Sequence, residues 1–130
     1  MKRALLLIDH GSRREEANAV LVQVAEIVRH QSEFPVVHYA HLEIAEPTIA
    51  QGFDACVADG AQEVIVHPYF LAPGAHYSED IPRLVAQAAA KHPGVRWTIT
   101  EPLGLHHKLC EVVLERVAVA MTPGSAQKAS

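Results

Sequence analysis

Two histidines occupy matching positions in this sequence, each in a short polar loop between an apolar run and a helical pattern. His10 follows the apolar run of residues 4–9, and His76 comes after the apolar run of residues 62–67. A neutral imidazole is a good ligand for divalent transition metals and also a base that works near pH 7. Two ligands cannot complete the closed tetrahedral set of a structural zinc site. If the two histidines meet, they would form an open site for a metal that must leave again.

Carboxylates stand after the other two apolar runs. Glu43 and Glu46 follow the second run, and Glu101 follows the fourth. Glu46 is interpreted either as an acid that stabilises a helix start or as a functional group. In the functional interpretation it is a third metal ligand, a base, or an orienting group for a cationic or NH-bearing substrate. Asp9 either orients His10 or simply ends the first strand.

Three further polar side chains belong to the same loops. Ser12 is expected to be the N-cap of the first helix. Arg13 is either an ordinary solvated charge or a group that binds a carboxylate of the ligand. His106 begins the fourth helix near Glu101, from where it could reach the rim of a pocket.

Four apolar runs alternate with four helical patterns along the chain. The predicted strands cover residues 4–9, 35–43, 62–67 and 95–100, and a helix follows each strand. This alternation predicts parallel βαβ units. We therefore expect a single α/β domain with a four-stranded parallel sheet flanked by helices on both faces. In such sheets ligands bind beyond the carboxyl ends of the strands, where all the candidate groups fall. The fourth helix should turn an apolar stripe inward, formed by Leu105, Leu109, Val112, Val113 and Val117.

The absence of glycine-rich motifs excludes two common functions of this architecture. The turn after the first strand reads DHGSRREE, which contains neither a GxGxxG fingerprint nor a P-loop. The sequence therefore does not predict a Rossmann or nucleoside-triphosphate site.

Length and composition set broad limits. The chain has 130 residues, enough for one domain, which we place at residues 1–120, with a disordered tail at 121–130. A net charge of −4 argues against nucleic acid and anionic membranes as partners. No segment is long and apolar enough to span a bilayer. The two cysteines, Cys56 and Cys110, are expected to be unpaired, which predicts a cytoplasmic protein.

Four stretches of the chain carry a family resemblance. They read LLLIDHGSRREEAN, LEIAEPTI, GAQEVIVHPYFLAPGAHYSEDIPRL and EPLGLH. In this order they span residues 4 to about 118, and together they resemble the small sirohydrochlorin chelatases of the CbiX/SirB type. The resemblance implies ATP-independent insertion of a divalent metal into sirohydrochlorin, for cobalamin or siroheme biosynthesis. The metal is a substrate, Co²⁺ or Fe²⁺ with Ni²⁺ also possible, and no organic cofactor is implied.

The resemblance also implies roles for individual residues. It places the metal at His10 and His76, and it makes His10 the acceptor of a pyrrole proton. Glu46 would contact the macrocycle, and Glu43 is a weaker candidate. The contact loop would comprise Leu71, Ala72, Pro73, Gly74, Ala75 and His76. Many relatives carry a basic residue where this chain has Ala75, so one partner for a substrate carboxylate is absent. Longer relatives join two such domains around a cleft, so we expect this chain to form a homodimer.

Two rival functions remain open at this point. The first is a metal or tetrapyrrole carrier without catalysis, for which Ala75 is the warning sign. The second is a histidine-nucleophile phosphatase, suggested by a strand that ends in His-Gly. The resemblance to such enzymes would require an Arg-His-Gly motif, whereas here Asp9 precedes His10. A carboxylate beside a phosphate site is unfavourable because the two negative charges repel each other.

Overall fold

The computed structural model describes residues 1–74 and 77–124, and it has the predicted alternation of strands and helices. The four strands are β1 (Arg3–Asp9), β2 (Val36–His41), β3 (Glu63–Pro68) and β4 (Arg96–Ile99). The four helices are α1 (Glu15–Gln31), α2 (Ile49–Ala58), α3 (Tyr77–Ala89) and α4 (His107–Met121). The predicted tail begins where α4 ends, and residues 125–130 lie outside the described part of the chain.

All four strands are parallel, in the order β2-β1-β3-β4. β1 is therefore central and pairs with β2 on one side and with β3 on the other. Asp9 and His41 are the last register partners of β1 and β2. The carboxyl ends of the strands, and the loops that follow them, consequently lie along one edge of the sheet. The predicted fold class is confirmed.

Helices α2 and α3 cover one face of the sheet. Phe53 of α2 and Val85 of α3 are fully buried against Leu6, Ile8 and neighbouring apolar side chains. α2 begins with a reciprocal capping box, in which the Thr48 side chain accepts from the backbone N–H of Gln51 and the Gln51 side chain accepts from that of Thr48. This cap fixes the end of the loop that carries the second candidate motif.

Helix α1 covers the opposite face, where Leu21 and Ala25 pack on Leu7 and Val37. The prediction that Ser12 caps this helix is wrong. The N-cap is Arg14, without a side-chain cap bond. The backbone of Ser12 instead exchanges two hydrogen bonds with the side-chain amide of Asn18, at 2.9 and 2.7 Å, because the loop folds back on the first turn of the helix.

The predicted inward stripe of α4 is also wrong. Val112, Val113 and Val117 are 42–59% exposed, and Leu105 is almost fully exposed. Within the described residues, α4 has no buried side chain. The period of the stripe identified an apolar surface correctly, but the parts of this chain that the structure describes do not cover it.

No helix within residues 1–74 and 77–124 is long and apolar enough to cross a membrane. Neither cysteine is in a disulfide: Cys56 is buried in the core and Cys110 is exposed on α4.

Candidate functional site

The candidate site begins where the β1–β2 ladder continues past the ends of the two strands. The N–H of Leu42 donates to the carbonyl of Asp9 at 2.8 Å, and the N–H of Glu43 donates to the carbonyl of His10 at 3.2 Å. The Glu43 carbonyl approaches Gly11 so closely that a Cβ built on this glycine would lie 1.9 Å from the oxygen. The backbones that carry His10 and Glu43 are therefore locked side by side.

This lock brings an imidazole and a carboxylate together. His10 Nε2 lies 3.3 Å from Glu43 Oε1, and both side chains are about half exposed. The imidazole meets the buried ring of Phe70 edge to face, with ring centroids 6.2 Å apart. Such a pair can accept protons and can offer one nitrogen and one oxygen ligand to a metal while leaving its other positions open.

Two grooves flank the loop that follows β1. The larger, of about 620 Å³, is lined by His10, Tyr69 and Phe70 and by the exposed side chains of Leu71 and Ala72. The second, of about 540 Å³, lies on the β2 side and is lined by Arg13, Tyr39, Ile44 and Glu46 among others. Ser12 and Asn18 belong to both grooves, so the β1–α1 loop forms the ridge between them.

The loop predicted to contact a macrocycle is described as far as Gly74. Leu71, Ala72 and Pro73 are exposed, with Leu71 at 72%, and Gly74 is half-buried. The backbone N–H of Ser78 donates to the Gly74 carbonyl at 3.1 Å, and the Ser78 hydroxyl donates to the same oxygen. Ala75 and His76 lie outside the described residues, so the predicted pairing of two histidines stays a prediction.

Glu46 and Arg13 line the second groove rather than the His10 groove. The Glu46 carboxylate accepts a hydrogen bond from Gln51 Nε2 at 3.0 Å. Since Gln51 is part of the capping box, Glu46 is tied to the start of α2, and both interpretations of this residue remain compatible with its position.

Glu101 and His106 line neither of the two grooves. Glu101 lines an apolar cavity of about 250 Å³ together with Phe70, Pro73 and Ile81. His106 is the N-cap of α4, where its Nδ1 accepts from the N–H of Lys108 at 3.1 Å and its ring stacks on that of the adjacent histidine. The role of a pocket-rim group for either residue stays a prediction.

The sequence left the positions of two further residues in this region unspecified. The first is His41, whose side chain is only 2% exposed and whose Nδ1 lies 2.5 Å from Asp9 Oδ1. The carboxylate next to His10 therefore pairs with His41 across the strands. The second is Ile44, an exposed apolar side chain on a left-handed backbone. The adjacent register of the two strand ends was the signal for His41, but it required knowing that β1 pairs with β2.

The metal-binding capacity of the described region is small. Among residues 1–74 and 77–124, no cluster of three or more histidine, cysteine or acidic side chains is placed to hold a metal ion. The His10–Glu43 pair provides two donors, which suits a weakly held ion in transit better than a resident one.

Comparison with known proteins places the chain in a family. The CbiX family model matches residues 4–120. The chain is 43% identical over 113 residues to the chloroplastic sirohydrochlorin ferrochelatase of Arabidopsis thaliana, which covers 87% of this chain and 50% of the relative. It is 30% identical over 138 residues to the sirohydrochlorin cobaltochelatase of Methanococcus maripaludis, covering 87% of this chain and 96% of the relative.

A solved structure agrees with the sequence matches. The sirohydrochlorin chelatase SirB from Bacillus subtilis subspecies spizizenii, in complex with cobalt, superposes with a TM-score of 0.85 at 36% identity. The match covers 91% of this chain and 50% of that structure. The chain thus spans about half the length of several curated relatives that it matches.

Proposed function

Since the chain belongs to the CbiX family, the sirohydrochlorin chelatases, we propose that it inserts Co²⁺ or Fe²⁺ into sirohydrochlorin without ATP. The observation that supports this most directly is the His10–Glu43 contact of 3.3 Å beside a groove of about 620 Å³. The product would enter cobalamin or siroheme biosynthesis. A cytoplasmic location stays a prediction from the sequence.

The chemistry requires that two pyrrole N–H groups lose their protons as the metal bonds to the ring nitrogens. His10 Nε2 first presents the incoming metal, with the Glu43 carboxylate as a second donor and His76 as the further ligand expected from the sequence. As the ring nitrogens take over the metal, the imidazole is freed and accepts one pyrrole proton. The Glu43 carboxylate, 3.3 Å from that imidazole, accepts the second proton.

Substrate binding is assigned to the loops around this pair. The exposed residues Leu71, Ala72 and Pro73 offer apolar surface to a flat macrocycle. Arg13 and the N–H groups near the start of α1 are suited to the carboxylates of sirohydrochlorin. Glu46, which Gln51 holds at 3.0 Å, would face the macrocycle from the second groove.

The test is anaerobic absorbance of sirohydrochlorin with catalytic amounts of protein, adding Fe²⁺ or Co²⁺ in turn. The wild-type protein should metalate many equivalents, whereas His10→Ala should be reduced to the uncatalysed rate. His30→Ala is the matched control, because His30 is an exposed histidine on α1 whose Nε2 lies 3.2 Å from Glu26 of the same helix. Glu43→Gln should slow turnover by about 100-fold or more, because proton transfer by one positioned side chain typically contributes about 10²–10⁴-fold.

Each alternative function has its own signature in this assay. A spectral shift at one equivalent without turnover would establish a carrier instead. Hydrolysis of a phosphate ester that depends on His10 would establish the phosphatase. Full turnover by His10→Ala would contradict the role of this histidine while leaving the chelatase assignment in place.

We further propose that two copies of the chain associate through α4. The support is that Val113, Leu114 and Val119 of this helix are 59–66% exposed. A helix within a protein gains most of its stability by packing its apolar face against another surface. We propose that a second copy of the chain covers this surface. Two copies together would match the length of several relatives that this chain spans by about half, and they could form a cleft between them.

Light scattering on the purified protein tests the dimer. The wild-type mass should be twice that of the chain at micromolar concentration. The double variant Val113→Glu/Val117→Glu should be monomeric, whereas Glu111→Lys on the same helix should remain dimeric. A monomeric wild-type protein would refute the assembly without affecting the assignment of His10.

A further inference from the structure

A three-residue turn carries the chain from Glu43 to Ala45. The N–H of Ala45 donates to the carbonyl of Glu43 at 2.9 Å, and Ile44 between them has a φ of +76°. A three-residue turn closed by this hydrogen bond, with a positive φ at its central residue, is the rare and strained form of the γ-turn. A β-branched residue is the least suited to a positive φ, because its branched side chain collides with its own backbone. Within residues 1–74 and 77–124, Ile44 is the only residue other than glycine with a positive φ.

The framework around the turn imposes this conformation. On one side the N–H of Glu43 is held by the His10 carbonyl, at 3.2 Å. On the other side the N–H of His41 is held by the Pro47 carbonyl, at 2.8 Å. Glycine or asparagine would adopt the same backbone at lower cost, so the fold itself gives no reason for isoleucine.

The side chain of Ile44 gains nothing from the core. It is 60% exposed and belongs to neither of the two buried clusters. It lines the second groove, and its neighbours along the chain include two exposed acids, Glu43 and Glu46. A single exposed isoleucine is ordinary, but one that is also held in a strained conformation is not.

We propose that Ile44 is a substrate-contact residue whose side chain packs against the flat apolar face of the macrocycle. This inference rests on the proposed function and deepens it. A conjugated ring system needs apolar surface, and most other residues that line the second groove are charged or polar. Only the ridge of Ser12 and Asn18 separates the groove of Ile44 from the groove of His10, so a macrocycle seated on Ile44 would reach across this ridge to the His10–Glu43 pair.

Three substitutions separate the apolar contact from the strain. Ile44→Asn and Ile44→Gly both relieve the backbone and remove the apolar surface, whereas Ile44→Leu keeps apolar surface of the same size. Ile27→Asn is the matched control, because Ile27 is an isoleucine 55% exposed on α1 and lines none of the site grooves. The probe is metal-free sirohydrochlorin, whose binding is titrated by absorbance, with Tm and metalation rate measured on the same samples.

Ile44→Asn should bind sirohydrochlorin about tenfold more weakly, a loss of about 1.4 kcal/mol, while its Tm rises by about 2–5 °C. Ile44→Gly should lose binding to a similar extent, with KM rising more than kcat falls. Ile44→Leu should restore most of the affinity. Ile27→Asn should bind as the wild type does. A gain in stability together with a loss of affinity is a result that a purely structural role would not produce.

The outcomes distinguish this inference from the proposed function. If the wild-type protein metalates sirohydrochlorin and Ile44→Asn binds it with unchanged affinity, the contact is refuted and the chelatase stands. If Ile44→Asn loses both stability and affinity, the side chain is structural and the contact is refuted as well. If the wild-type protein neither binds nor metalates sirohydrochlorin, both are overturned.

Discussion

Replacing Gly11 with alanine should disrupt both the fold and the site through one methyl group. The added Cβ would lie 1.9 Å from the Glu43 carbonyl oxygen, whereas real Cβ atoms essentially never approach other atoms closer than 3.0 Å. The backbones at the ends of β1 and β2 would therefore have to shift apart by about 1 Å or more. Gly11 also has a φ of +94°, which alanine disfavours.

The expected magnitude follows from two separate costs. The positive φ costs about 1–2 kcal/mol for alanine. Separating the strand ends breaks the hydrogen bond from the Glu43 N–H to the His10 carbonyl, which costs about 1 kcal/mol more, and leaves residual strain. A total loss of about 3 kcal/mol should lower the Tm by about 10 °C. Metalation should fall by more than about tenfold, because the same separation pulls His10 away from Glu43.

Gly94→Ala isolates the first cost. Gly94 has a φ of +93°, almost the same as Gly11, but a Cβ added there meets nothing within 4 Å. This control should lose about 1–2 kcal/mol in urea unfolding and keep its metalation rate. If both variants lose the same free energy of unfolding, the close approach of the two strand ends does not matter and the reasoning fails.

Three other expectations concern buried or half-buried groups. Partial burial lowers the pKa of His67, so in acid the unfolded state binds more protons than the folded state. The free energy of unfolding, measured in urea at several pH values, should therefore fall as the pH drops below about 6.5, and it should fall less in His67→Gln. Burial raises the pKa of Cys56 to about 12, so in a Cys110→Ser background the remaining thiol should be alkylated at pH 8 only after denaturation, as read by mass spectrometry. His41→Leu should lower the Tm by at least about 5 °C, because it leaves the Asp9 carboxylate without its buried partner; a change within error in a thermal melt would contradict this.

The order of apolar runs and helical stripes was enough to predict the architecture and the end of the sheet at which chemistry can occur. Apolar runs that alternate with helical stripes leave little choice but parallel βαβ units, and parallel strands place all their carboxyl ends along one edge. That is why the sequence alone predicts that His10 and Glu43 share this edge. The family motifs in the same loops then indicated which reaction these residues perform, which the spacing of the residues alone did not indicate.

Which side chains meet depends on the packing of strands and loops in three dimensions. The pairing of Asp9 with His41 depends on the register of β1 against β2, which no local pattern encodes. The left-handed backbone of Ile44 arises from hydrogen bonds on both sides of its turn. The apolar stripe of α4 was predicted correctly as a stripe and wrongly as buried, because periodicity identifies an apolar face but not the surface that covers it.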